Sequence, residues 1–207
     1  MIQKNVSAKT GRMVQLAILT AIILLMAFTP IGYLHFGIIE ITLIMIPVII
    51  GAIVLGPAAG AFLGGMFGLT SFIQCFGMSA FGAALLSIQP VLTFLVCMIP
   101  RILMGWLCGL IFKGLIRVDR TKSKTLSYCI TGLSGALLNT ILFMTLLMLL
   151  FGQTDYIQTM RAGMGLFAFI AGFVGLNGLV EAAACFVVAS AVSKALDVVM
   201  KRNFSVE

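Results

Sequence analysis

Residues 41–60 read ITLIMIPVIIGAIVLGPAAG, and they open a run of sixty residues, Ile41 to Pro100, without one formal charge. Soluble domains carry about 25% charged residues, so a water-facing fold cannot accommodate this run. Gly56-Pro57 interrupts it. Proline lacks an N–H and fixes its φ, so the pair predicts the end of one helix and the start of the next. Two spans follow from that break, a short one over about 40–55 and another over about 57–76. The whole chain agrees, with 207 residues, 61% of them hydrophobic and 9% charged, and a mean hydropathy of +1.20. Soluble enzymes, nucleic-acid binders and secreted disulfide scaffolds are excluded together.

Working outward, Lys4, Lys9 and Arg12 precede an uncharged stretch that lasts until Glu40. About 20 apolar residues cross a bilayer, and about 13–33 makes the first span. It is too long for a cleavable signal peptide and has no small-residue cleavage site. Further spans are expected over about 91–116, 126–151 and 165–192. The Gly-, Ala- and Ser-rich segment 77–90 is expected to be a loop. The predicted fold is an all-α membrane protein, a six-transmembrane-helix bundle forming one domain over 1–207.

Six spans put both termini on one side. That side collects Lys4, Lys9, Arg12, Lys113, Arg117, Arg120, Lys122, Lys124, Lys194, Lys201 and Arg202, which is eleven of the 13 basic residues. Basic loops favour the cytoplasmic face, so the expected topology is N-in and C-in. The net charge of +7 is then a matter of topology, and nucleic acid is not needed to explain it.

Gly56, Gly60, Gly64 and Gly68 recur every four residues, as do Gly105 and Gly109. Such small-residue stripes let helix backbones approach closely inside a bilayer. Ala17 and Ala21 make a similar notch in an otherwise bulky first span, suited to docking a helix of this chain or of another protein.

Charges inside a membrane are costly and mark pairs or functional sites. Arg101 and Glu181 are the two candidates. Either they pair with each other, or Arg101 grips an anionic ligand through parallel hydrogen bonds. Asn177 lies one turn before Glu181, and Asn139 sits at mid-depth in the fifth span, so three helices offer polar groups to a shared pocket. The outer segments 30–40 and 77–90 are apolar and glycine-containing. They are expected as lids over the mouth of the bundle, with Tyr33, His35, Phe36, Phe81 and Gln89 available to a ligand. Gln153, Thr154, Asp155, Tyr156 and Arg161 read as ordinary polar loop residues.

Five scattered cysteines without a CxxC pair point to neither metal nor redox chemistry. The single histidine has no nucleophile at a recognisable spacing, and no Gly-Lys dipeptide exists for a phosphate loop. No cofactor is expected, and ATP hydrolysis, if it drives transport, belongs to another subunit. An intramembrane enzyme therefore lacks its nucleophile. A purely structural membrane protein would be packed shut at its outer end, where a transporter would keep a cavity containing Arg101.

With Ala17-x-x-x-Ala21, the chain resembles the substrate-binding S components of energy-coupling factor (ECF) vitamin transporters. Residues 46–60 resemble the second-to-third-span segment of the pantothenate/folate/riboflavin branch. Pro100-Arg101-Ile102-Leu103 and Asn177-Gly178-Leu179-Val180-Glu181-Ala182 resemble its fourth and sixth spans. The resemblance implies a vitamin-binding subunit of a prokaryotic cell membrane, with its site near the outer face. It also implies a membrane coupling partner docked on Ala17 and Ala21, and two cytoplasmic ATPase subunits. Pantothenate is the expected vitamin, its carboxylate on Arg101 and its polar groups on Asn139, Asn177 and Gln89. Riboflavin, stacked on Tyr33, Phe36, Phe81 and Trp106, is the alternative.

Overall fold

The computed structural model describes residues 2–29, 32–36, 39–118, 125–161, 178 and 181–186. The elements in chain order are α1 (Ile2–Ala27), β1 (Tyr33–Phe36), β2 (Ile39–Thr42), α2 (Met45–Leu55), α3 (Pro57–Gln74), α4 (Ala80–Ile88), α5 (Pro90–Val118), α6 (Thr125–Phe151) and α7 (Asp155–Arg161). Among the described residues, three helical stretches, Lys9–Ala27, Pro90–Val118 and Leu126–Phe151, are long and apolar enough to cross a membrane. Most of the sixth expected span lies outside the described residues; 178 and 181–186 are helical.

Gly56 forms the break between α2 and α3. Its φ of +96° is a conformation that side-chain-bearing residues rarely adopt, and Pro57 then starts α3 at a position where its missing N–H costs nothing. α2 has 11 residues, so it rises only about 16 Å, roughly half the hydrocarbon thickness. All of its residues except Val54 are buried, as a helix apolar on every side must be.

Two differences from the sequence reading lie in the segments 30–44 and 77–90. The second helix begins at Met45 rather than near 40, because β1 and β2 form an antiparallel hairpin with Tyr33 opposite Thr42 and Phe36 opposite Ile39. The expected all-α fold thus carries a small two-stranded sheet. The segment 77–90 contains helix α4, nucleated by Ser79, whose hydroxyl accepts from the Gly82 N–H at 3.2 Å. That side chain satisfies one of the donors a helix start leaves free. The weak periodicity of 77–90 concealed it.

α3 and α5 run antiparallel at the closest approach their backbones allow. A methyl group on Gly60 would strike the Gly105 carbonyl, and one on Gly64 would strike the Arg101 carbonyl. At Gly68 it would come within 2.8 Å of the Cys97 oxygen, and at Gly109 within 2.5 Å of the Pro57 Cα. Each contact is one helical turn from the next on both partners, so the two stripes fix a single register. Dispersion between backbones supplies the attraction where water cannot.

Two polar ties join α1 to the helices beside it. Arg12 Nη2 donates to the Leu55 carbonyl at 2.9 Å, and Gln74 Nε2, buried, donates to the Ala27 carbonyl at 2.8 Å. Both acceptors belong to last turns, where helix carbonyls lack intrahelical partners. The apolar interior forms two clusters. The larger gathers Ile23, Ile49, Leu63, Phe67, Met104, Ala136 and Ala182. The smaller, between α4, α5, α6 and α7, gathers Leu85, Val96, Met144, Leu147, Phe151 and Ile157.

Candidate functional site

Arg101 lies on the seam between those clusters. On α5, Val96 belongs to the smaller cluster and Met104 to the larger, with Arg101 between them. On α6, Asn139 lies in the same way between Ala136 and Met144. A polar layer thus crosses the interior at mid-helix, with Arg101 and Asn139 each only 8% exposed.

The local cause of the arginine's position is its neighbour. Pro100 stands inside α5 and has no N–H, which leaves the carbonyl four residues earlier without its helical donor. That carbonyl is Val96, and Arg101 Nη1 donates to it at 2.8 Å. The side chain leans toward the helix N-terminus, as helical side chains do, and so covers the acceptor that its own neighbour exposed. In a bilayer this compensation matters, because no water is present to take the carbonyl.

Two aromatic faces hold the guanidinium in that place. Its Cζ is 4.6 Å from the Phe143 ring centroid and 5.4 Å from that of Phe67, distances at which a ring face attracts a cation. Phe143 is one turn after Asn139 on α6, so the amide and the ring share a helical face toward Arg101. The Pro100-Arg101 pairing was legible in sequence as a neighbouring proline, but Phe67 and Phe143 were not singled out. Only the helix packing brings those rings to the cation.

Two buried polar atoms in this layer, Arg101 Nε and Asn139 Oδ1, have no hydrogen-bond partner among the described residues. One is a donor carrying positive charge and the other is an acceptor. Leaving such a group unpaired costs about 1–3 kcal/mol, more where it is charged. Folded proteins keep such groups where something else completes them. A ligand that presents an anionic acceptor to the arginine and a donor to the amide fits both.

Among the other predicted residues, Glu181 is buried, and its Oε1 accepts from the Thr42 backbone N–H at 2.7 Å. Among the described residues no ion pair joins it to Arg101. The carboxylate instead ties the end of β2 to the helical segment 181–186. Tyr33, His35 and Phe36 lie on β1, with His35 opposite Glu40. Phe81 meets the Tyr156 ring at 6.2 Å between α4 and α7, so Tyr156 packs against α4. Gln89 is exposed at the α4–α5 junction, twelve residues and about 18 Å of helix from Arg101. Trp106 is 45% exposed and lines a groove with Arg12 and Lys113, away from Arg101. Asn177 lies outside the described residues. Ala17 and Ala21 are both exposed on α1, where another helix can reach them.

Comparison with known proteins bears on what this layer binds. The family model described as ECF transporter, substrate-specific component, matches residues 11–193. The chain is 29% identical over 199 residues to the pantothenate transporter PanT of Leuconostoc mesenteroides, covering 94% of this chain and 96% of that protein. It is 34% identical over 122 residues to the pantothenic acid transporter PanT of Lactococcus lactis, covering 55% of this chain and 59% of that protein.

Proposed function

The chain belongs to the substrate-specific component family of ECF transporters, and on that premise we propose that it captures pantothenate in the Arg101–Asn139 layer for delivery into the cell. One observation carries the assignment of the site, the unpartnered buried pair of Arg101 Nε and Asn139 Oδ1. With Nη1 held by Val96, the edge of the guanidinium that includes Nε is the one left for a carboxylate. Pantothenate has that carboxylate, together with hydroxyl and amide donors for the asparagine. The names of the two relatives support the same vitamin. Phe67 and Phe143 exclude water around the ion pair, which strengthens it.

The six-helix bundle over 1–207, with both termini in the cytoplasm, completes this reading, supported by the sequence, in which eleven of the 13 basic residues fall in segments that six spans put on one side. The hairpin and α4 then face outward as covers over the site, the hairpin tied down through Thr42 and Glu181. Asn177, Tyr33, His35 and Phe81 belong to the outer half of the pocket, and Gln89 to its rim. Members of this family are not themselves enzymes. Two ATPase subunits and a coupling protein supply the energy, the coupling protein docking on Ala17 and Ala21.

Calorimetry on the purified protein tests the ligand. Pantothenate is expected to bind with 1:1 stoichiometry, and its uncharged alcohol analogue about 100-fold more weakly, as befits a lost charge-assisted pair. Arg101→Ala is expected to reduce pantothenate affinity by a similar factor. Equal affinity for the acid and the alcohol would overturn the pairing without relying on a variant's ability to fold.

A further inference from the structure

At the opposite end from the hairpin, α1, α2, α3 and α5 enclose an open groove of about 770 Å³ that the vitamin site does not use. Arg12, Lys113 and Arg117 line it, and no acidic residue does among the described ones. Arg12 is set by its hydrogen bond to the Leu55 carbonyl. The Lys113 chain passes over the α2–α3 break, its Cε 4.0 Å from where a side chain on Gly56 would begin. The first turn of α3 also opens here without a side-chain cap or an acidic residue. Every fixed charge on the groove is therefore positive.

The face of α5 leading to this groove shows what length of ligand fits. Ile99, Leu103, Trp106 and Leu110 are all exposed and recur at helical spacing, so they form one stripe. Lys113 and Arg117 continue it, both exposed. The stripe is apolar for about 16 Å of rise, close to one leaflet of hydrocarbon, and then basic. An acyl chain would follow the first part and an anionic headgroup would meet the second. Trp106, half-exposed near the change in polarity, is the residue type that membrane interfaces select.

We propose that this groove is a binding site for an anionic phospholipid of the cytoplasmic leaflet, its phosphate held by Arg12, Lys113 and Arg117 and one chain lying along α5. The inference rests on the reading that this end of the bundle is cytoplasmic. A soluble anion would use the cations but not the stripe, and a neutral lipid would use the stripe but not the cations.

Native mass spectrometry of the detergent-purified protein with equimolar phosphatidylglycerol and phosphatidylcholine tests it, with inorganic phosphate as a competitor. The wild type is expected to retain phosphatidylglycerol preferentially. In the Lys113→Gln/Arg117→Gln variant the preference should fall by roughly 25-fold, about fivefold for each surface cation removed. Both side chains are exposed, and pantothenate binding by the variant checks that it is folded. Equal retention of the two lipids by the wild type, or an unchanged preference in the variant, overturns the proposal. Displacement of the lipid by millimolar phosphate overturns it in favour of a free anion. Detergent abolishes sidedness, so the result does not depend on topology. Labelling of Lys113→Cys from one face of sealed vesicles, in a background with the five native cysteines replaced by alanine, tests the topology separately.

Discussion

Gly64 of α3 lies against the backbone carbonyl of Arg101 on α5 so closely that even a methyl group would overlap it. The only charge within α5's apolar middle is thus carried on one of the closest backbone contacts between α3 and α5. Its position cannot drift without separating the two helices.

Gly64→Ala should therefore destabilise the protein by about 1–3 kcal/mol, the usual range for overpacking, and weaken pantothenate binding by displacing Arg101. At Gly65, one residue on, a Cβ would meet only the Ile102 side chain, at 3.7 Å and beyond. Gly65→Ala should be neutral or stabilise by up to about 1 kcal/mol through helix propensity. Denaturant unfolding in detergent, with calorimetry on both variants, makes the comparison.

The Arg101–Val96 hydrogen bond exists because Pro100 cannot supply one. In a Pro100→Ala background the Val96 carbonyl regains a backbone donor, so Arg101→Met should cost about 1 kcal/mol less there than in the wild type. A double-mutant cycle of unfolding free energies measures the coupling. Strict additivity would mean that the proline and the arginine are unrelated.

Asn139 Oδ1 is buried without a partner among the described residues, which by itself stabilises nothing. Asn139→Leu should raise the melting temperature of the ligand-free form, relieving about 1–3 kcal/mol. The same change should lower pantothenate affinity by about tenfold. Opposite movement of stability and affinity is the signature of a binding residue; a parallel fall in both would indicate a structural one.

Glu181 holds the hairpin through the Thr42 N–H. Removing the acceptor in Glu181→Ala should cost about 1.5–3 kcal/mol of local protection, as for hydrogen bonds to charged groups, and Glu181→Gln, which keeps an oxygen there, should cost less. Amide hydrogen exchange across β2 reads the difference. Exchange at Gly60–Gly68 should stay unchanged, because the α3–α5 contact does not involve this bond.

Ala17 and Ala21 are exposed on α1, so enlarging them disturbs no internal packing. Ala17→Trp and Ala21→Trp should leave pantothenate affinity within about twofold, since distant sites act independently, while copurification with ATP-hydrolysing subunits is lost. Retained copurification would move the docking surface elsewhere.

Much of the architecture could be read from the residues. The sixty uncharged residues, the Gly56-Pro57 break and the four-residue glycine stripe led to the α2–α3 boundary and to the face that α3 presents to α5. Arg101 and Asn139 stood out because polar groups are rare in such segments. The hairpin and α4 did not stand out. Short elements whose stability comes from a capping hydroxyl or a distant carboxylate leave little periodic trace in sequence. Of the two readings open to Arg101 and Glu181, a mutual pair or separate roles, sequence could not choose, since each has a backbone hydrogen-bond partner, Val96 or Thr42, that no spacing in the chain announces.

The sequence by itself determined that the chain lives in a bilayer, where it breaks, and which few polar groups had to be accounted for. These follow from composition and from the fixed geometry of proline and glycine, which act locally. Only the tertiary structure decided what those polar groups do. Arg101 covers the Val96 carbonyl between two phenylalanine faces, and Glu181 anchors Thr42 from 139 positions away in the chain. Partnership between buried groups depends on distances across helices, and those are set by which backbones the glycines allow to touch.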